Sequence, residues 1–96
     1  MKMIIVIVKD NEADSLIRAL TSAEYRITRI ASTGGLLRSG VATLLMGVDE
    51  AKVDSAVALV RETVAASGHH HERTTGALGE KRATLFVVPV SRFEQV

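Results

Sequence analysis

The chain has no cysteine. That excludes a disulfide framework, a thiol nucleophile and a thiolate metal site. It also lacks an excess of charge of either sign: twelve Lys and Arg stand against eleven Asp and Glu, for a net charge of +1. Such a balance gives no electrostatic case for nucleic acid or an anionic membrane surface. Long hydrophobic runs are missing as well. The opening MKMIIVIVKD holds six consecutive apolar residues, 3–8, short for a signal-peptide core and far from the roughly 20 needed to span a bilayer. The expectation is a cytoplasmic protein with no membrane insertion. Catalytic constellations are lacking too. There is no His-Glu-x-x-His helix and no P-loop ending in Gly-Lys-Ser/Thr. Ser39 and Ser91 have no general base tied to them by spacing. The chain is therefore expected not to be an enzyme and to need no cofactor.

What is present is an ordered, single-domain pattern over residues 1–96. Apolar residues make up 47% of the chain, which argues against disorder. A chain of this length builds only a modest core and benefits from assembly. Residues 3–8 are β-rich, apolar and bounded by Lys9-Asp10-Asn11, so they read as a buried strand. Asp10 or Asn11 is placed to cap the helix that follows. In that helix Ala13, Leu16, Ile17 and Leu20 form one apolar stripe, with Arg18 outside it. Residues 25–31 read as a second strand and 41–46 as a third, ended by Gly47. Asp49-Glu50 opens a second helix, where acidic side chains suit the N-terminal dipole. Its buried face is Val53, Val57, Val60 and Val64 with Ala56 beside them, and Ser67-Gly68 stops it. Residues 69–82 have little periodicity and read as a loop. Residues 83–90 read as the last strand, in which the sole proline, Pro89, favours a sheet edge or the strand's end. Residues 91–96 form a short tail. The order β-α-β-β-α-β is the ferredoxin-like arrangement, an α+β fold with a four-stranded antiparallel sheet and two helices on one face.

Two features go beyond the fold. First, two helices cover one face of such a sheet, and a strand with a wet second face alternates apolar and polar residues. Residues 3–8, 44–46 and 85–88 do not alternate, so the second face calls for cover. A chain this short has no spare element to provide it. Further copies of the chain are the economical solution, and a closed ring of three satisfies it. Second, residues 30–47 run IASTGGLLRSGVATLLMG. Paired glycines let backbone N–H groups approach a ligand, and successive N–H groups in a turn form a concave anion site. Ser32, Thr33 and Ser39 add hydroxyls and Arg38 adds charge. This chemistry suits a phosphate, and it equally suits an ordinary Gly-rich hairpin loop.

The chain resembles the PII-like cyclic-di-AMP receptor family, small trimeric signalling proteins related to nitrogen-regulatory PII. The resemblance is carried by the opening Met1-Lys2-Met3-Ile4-Ile5, by Arg26 and Thr28, by Ala31, Thr33-Gly34-Gly35, Leu37-Arg38 and Gly40. It continues through Gly47-Val48, Val53-Asp54, Ala83-Thr84, Phe86-Val87, Pro89-Val90 and Phe93. It implies a PII-like ferredoxin fold, a homotrimer, a small adenine nucleotide in clefts between subunits, and signalling to an unknown protein partner by loop rearrangement. Carried over residue by residue, it implies a ligand site of Arg26, Thr28, Thr33, Gly34, Gly35, Leu36, Leu37, Val41, Gly47 and Phe86. Arg26 would pair with a phosphate or stack on a base. Thr28 would donate to a phosphate oxygen or a base nitrogen. Gly35 would present a backbone amide, and Leu37 would pack on adenine.

Three positions depart from the family pattern. Leu36 stands where an aromatic ring is common, and Val41 where Asn is common. Residues 67–82 replace a longer loop that helps read the ligand. These departures leave open a lost or altered ligand. The alternative reading is a trimeric interaction protein, ligand-independent or metal-responsive, that keeps the scaffold without the nucleotide site. His69-His70-His71 is the feature that raises metal. Adjacent histidines on regular structure cannot all face one ion, and only Glu72 adds a carboxylate beside them, so no metal site is assigned.

Overall fold

β-branched and apolar residues fill Lys2–Lys9, which forms the first strand, β1. The computed structural model describes residues 1–30, 40–67 and 82–96. After β1 come helix α1 (Asp10–Ser22), strand β2 (Ile27–Ile30) and strand β3 (Val41–Val48). A single 3-10 turn, Glu50–Lys52, leads into helix α2 (Val53–Ser67), and strand β4 is Ala83–Pro89. The sheet order is β2-β3-β1-β4 and every pairing is antiparallel. This is the ferredoxin-like α+β architecture that the element order predicts.

Period-two alternation divides each strand between two faces. Ile4, Val6 and Val8 of β1 point to the helix side with Ala42, Leu44, Met46 and Val48 of β3, all buried. The helices close this side. Ala13, Leu16 and Leu20 of α1 and Ala56, Val60 and Val64 of α2 are buried in the same cluster. Ile17, Val53 and Val57 are partly buried against it, and Arg18 is exposed. The predicted apolar stripes are thus the real packing faces.

The element ends differ from expectation for local reasons. Neither Asp10 nor Asn11 caps α1. Lys9 is the cap residue and gives no side-chain cap bond, while Asp10 and Glu12 lie inside the first turn. The Asp10 backbone N–H, one of the donors a helix start leaves free, donates instead to the Gly40 carbonyl at 2.8 Å. The second strand starts later than residue 25, because the Tyr25 N–H is taken by the Leu20 carbonyl at 3.0 Å as α1 closes. Glu24 adopts φ 70° in that closure, the left-handed position common just past a helix end. Gly47 does not end β3. It pairs with Met3, and Val48 pairs with Lys2. Asp49-Glu50 opens the 3-10 turn, and α2 itself begins at Val53. β4 stops at Pro89 on a sheet edge, as the lost N–H requires.

Candidate functional site

The strand residues left over from the core make a second surface. Opposite the helices the register aligns Thr28, Leu45, Ile5 and Phe86 in one cross-strand row. The next row is Ile30, Thr43, Ile7 and Thr84, and on the other side Gly47, Met3 and Val88 align. Val41 faces Lys9. Most of these side chains are apolar. Ile30 is 41% exposed and Phe86 50%, large values for residues that contribute most to stability when hidden. Large exposed apolar patches on a protein are commonly interaction sites.

Within this surface the sequence-predicted residues fall into two places. Arg26 immediately precedes β2 and is exposed. Continuing the register by one residue from the Ile27–Met46 pair sets it across from Gly47. Thr28 follows on the same face, opposite Leu45. Val41 lies at the far end of β3. Arg26, Thr28, Gly47 and Val41 therefore share one strip along the β2–β3 ladder. From Arg26 to Ile30 that strip is about 13 Å long at the usual rise per strand residue. Phe86 does not join them. Two strands separate it from Thr28, a distance of three strand spacings or about 14 Å across the row. Thr33, Gly34, Gly35, Leu36 and Leu37 lie outside the described residues, as do His69, His70 and His71.

Gly47 keeps the strip open at its Arg26 end. It is exposed, and a Cβ there would meet the Met1 Cε at 3.1 Å. Gly40, at the other end, has φ 86°, a conformation that suits glycine and strains other residues. Arg29 lies outside this strip. It pairs with Leu44 on the helix side, and its guanidinium donates to Asp14 at 3.0 Å and lies 3.7 Å from Asp10. Among the described residues that leaves Arg26 as the exposed cation of the strip.

Thr43 was not singled out from the sequence. The residue is 7% exposed, and its Oγ1 is buried with no hydrogen-bond partner among the described residues. It sits between Val41 and Leu45, across from Ile30. The signal was there to read, since it is the one hydroxyl in the predicted apolar run 41–46. A shallow groove between the helices, lined by Ser15, Leu59, Glu62, Thr63 and Ala66, contains none of the predicted site residues. Among the described residues no group of three His, Cys, Asp or Glu is placed to hold a metal, and no helix is long and apolar enough to cross a membrane.

A family model described as cyclic-di-AMP receptor matches residues 1–79. The chain belongs to the cyclic-di-AMP receptor family. The match spans the strip from Arg26 to Gly47 and the whole of the Gly-rich segment, and ends before β4 and Phe86. The fold also aligns with the crystal structure of a functionally unknown protein from Pediococcus pentosaceus ATCC 25745. The identity is 30% and the TM-score 0.68, over 99% of this chain and 96% of that one. The shared fold therefore extends past the family match and includes the β4 edge.

Proposed function

We propose that this chain is a PII-type receptor that binds a small adenine nucleotide, cyclic-di-AMP, between the subunits of a homotrimer. It signals to a protein partner in the cytoplasm by rearranging loops, and it is not an enzyme. The observation that carries this reading is the register. In a member of a cyclic-di-AMP receptor family, Thr28 and Phe86 lie about 14 Å apart on opposite edges of one apolar sheet face. One adenine ring system is too small to touch both within a chain. Two chains meeting edge to edge would bring the β2 strip of one beside the β4 edge of the next.

Each proposed role has a physical basis. The exposed Arg26 guanidinium suits a phosphate. Thr28 offers one donor and two acceptor sites. The open backbone at Gly47 allows close approach, and Phe86 offers a ring face for stacking. Val41 and Leu36 limit affinity, because they supply neither the amide nor the ring common at those positions in the family.

The test is a thermal-shift and calorimetric screen of cyclic-di-AMP, ATP and ADP against the intact chain, with its mass measured by light scattering. The reading requires a mass near three times 10.3 kDa and saturable binding of one adenine nucleotide. Arg26→Ala should weaken that binding by about 1.5–3 kcal/mol, the value of a charge-assisted hydrogen bond. A trimer that binds no nucleotide would favour the ligand-independent or metal-responsive interaction protein. A stable monomer at micromolar concentration would remove both readings.

A further inference from the structure

The first turn of α1 touches both edges of the sheet. β2 and β4 are the edge strands, about 14 Å apart across the sheet. From the β2 side, Arg29 reaches Asp14 at 3.0 Å and Asp10 at 3.7 Å. From the β4 side, Arg82 donates to Glu12. Asp10 and Asp14 are one turn apart and share a side of the helix. Glu12, two residues from each, is rotated about 200° round to the other side. Between these contacts the Asp10 N–H donates to the carbonyl of Gly40, which leads into β3. One helical turn therefore gathers the end of β2, the start of β3 and the start of β4, at the same end of the sheet.

We propose that this turn is a cross-brace that couples the two sheet edges, so that a change in order at the Arg82 contact alters the order of the Arg29–Gly40 side, and the reverse. Exposed ion pairs add little to overall stability. Their shared attachment matters more here than their strength. α1 has no side-chain cap, so these contacts are what fixes the first turn, the part of a helix most prone to fray. Glu12 makes the turn responsive. Its side chain is 14% exposed, and its second oxygen is buried without a hydrogen-bond partner among the described residues. A half-satisfied carboxylate kept from water depends on its partner cation. If Arg82 moves away, Glu12 must follow it or turn to solvent, and the turn that holds Asp10 and Asp14 moves with it. The brace stands on these contacts and not on the identity of any ligand.

Hydrogen exchange followed by mass spectrometry on the full chain tests this. Glu12→Gln should speed exchange at least three-fold at residues 83–86, and also at residues 27–30 and 41–45 beyond the helix. Arg29→Gln should do the reverse, reaching 83–86. Glu50→Gln, which removes the Lys2–Glu50 pair at the other end of the sheet, should change neither edge. Effects confined to the substituted edge would overturn the proposal. So would a uniform rise that includes residues 4–8 and 56–64, because that reports general destabilisation. A cycle of melting midpoints for Glu12→Gln, Asp14→Asn and the double variant uses milder changes. Non-additive shifts support the brace, and additive shifts overturn it.

Discussion

Ile5→Glu decides whether the apolar sheet face is a contact between copies. Ile5 lies on a central strand, flanked in its row by Leu45 and Phe86, and is half-buried in the single chain. If that face meets water, the new carboxylate stays hydrated. The loss is then the apolar contact with its neighbours, about 1 kcal/mol, as for an ordinary partly exposed substitution. If another copy covers the face, each chain buries an unpaired charge, at an effective penalty of several kcal/mol. Taking about 3 kcal/mol per chain and about 1.4 kcal/mol per decade, three copies lower the assembly constant by roughly six orders of magnitude. Because the constant for three chains scales with concentration squared, the midpoint of assembly rises about a thousand-fold in concentration. Sedimentation at several concentrations reads the mass, and far-ultraviolet circular dichroism confirms the fold. Ala65→Glu, at an exposed position of α2, adds the same single negative charge as a control and should leave the mass unchanged. An Ile5→Glu chain with native circular dichroism and the same mass as the unchanged protein would refute the reasoning.

The remaining predictions concern affinity and backbone. Leu36→Phe with Val41→Asn should tighten cyclic-di-AMP binding by at least about ten-fold by calorimetry, from a ring contact and a hydrogen bond of about 0.5–1.5 kcal/mol each. No gain in a folded double variant would place the limit in residues 67–82. Gly40→Ala should lower stability by about 1–2 kcal/mol in urea unfolding, because φ 86° strains any residue with a Cβ. Among the described residues nothing lies within 4 Å of that Cβ position, so an unchanged midpoint could not be credited to new packing there. Thr43→Val should raise the midpoint, by about 1 kcal/mol in stability, since it removes a buried hydroxyl with no partner. A fall would mean that the hydroxyl is used in solution.

Much of the fold was legible because both periodicities are strong. The stripe Ala13, Leu16, Leu20 and the row Ile4, Val6, Val8 are buried as their spacing requires. The non-alternating strands also announced the apolar second face. Helix starts were harder to read. Asp10 looks like a cap by residue type, but Gly40, thirty residues away in sequence, takes its backbone N–H, one of the donors a helix start leaves free. Gly47 looks like a stop, yet Met3 holds it in the ladder. Such long-range pairings override local preference. For the site, period two puts Thr28 and Ile30 on one face of β2. The separation of Phe86 from them follows only from the strand order of the whole fold, and no local pattern carries it. The ties of Arg29 and Arg82 to α1 were hidden for the same reason.

The placement of Thr28 and Phe86 on opposite edges has a thermodynamic consequence under the proposed reading. A site completed by two chains does not exist in either one alone, so ligand affinity is a property of the protein's concentration. Dilution below the assembly constant would blunt the response with no change in any residue. By linkage, the ligand would strengthen association by the same factor that association strengthens the ligand. The cell could then set the threshold of such a receptor by how much of it is made.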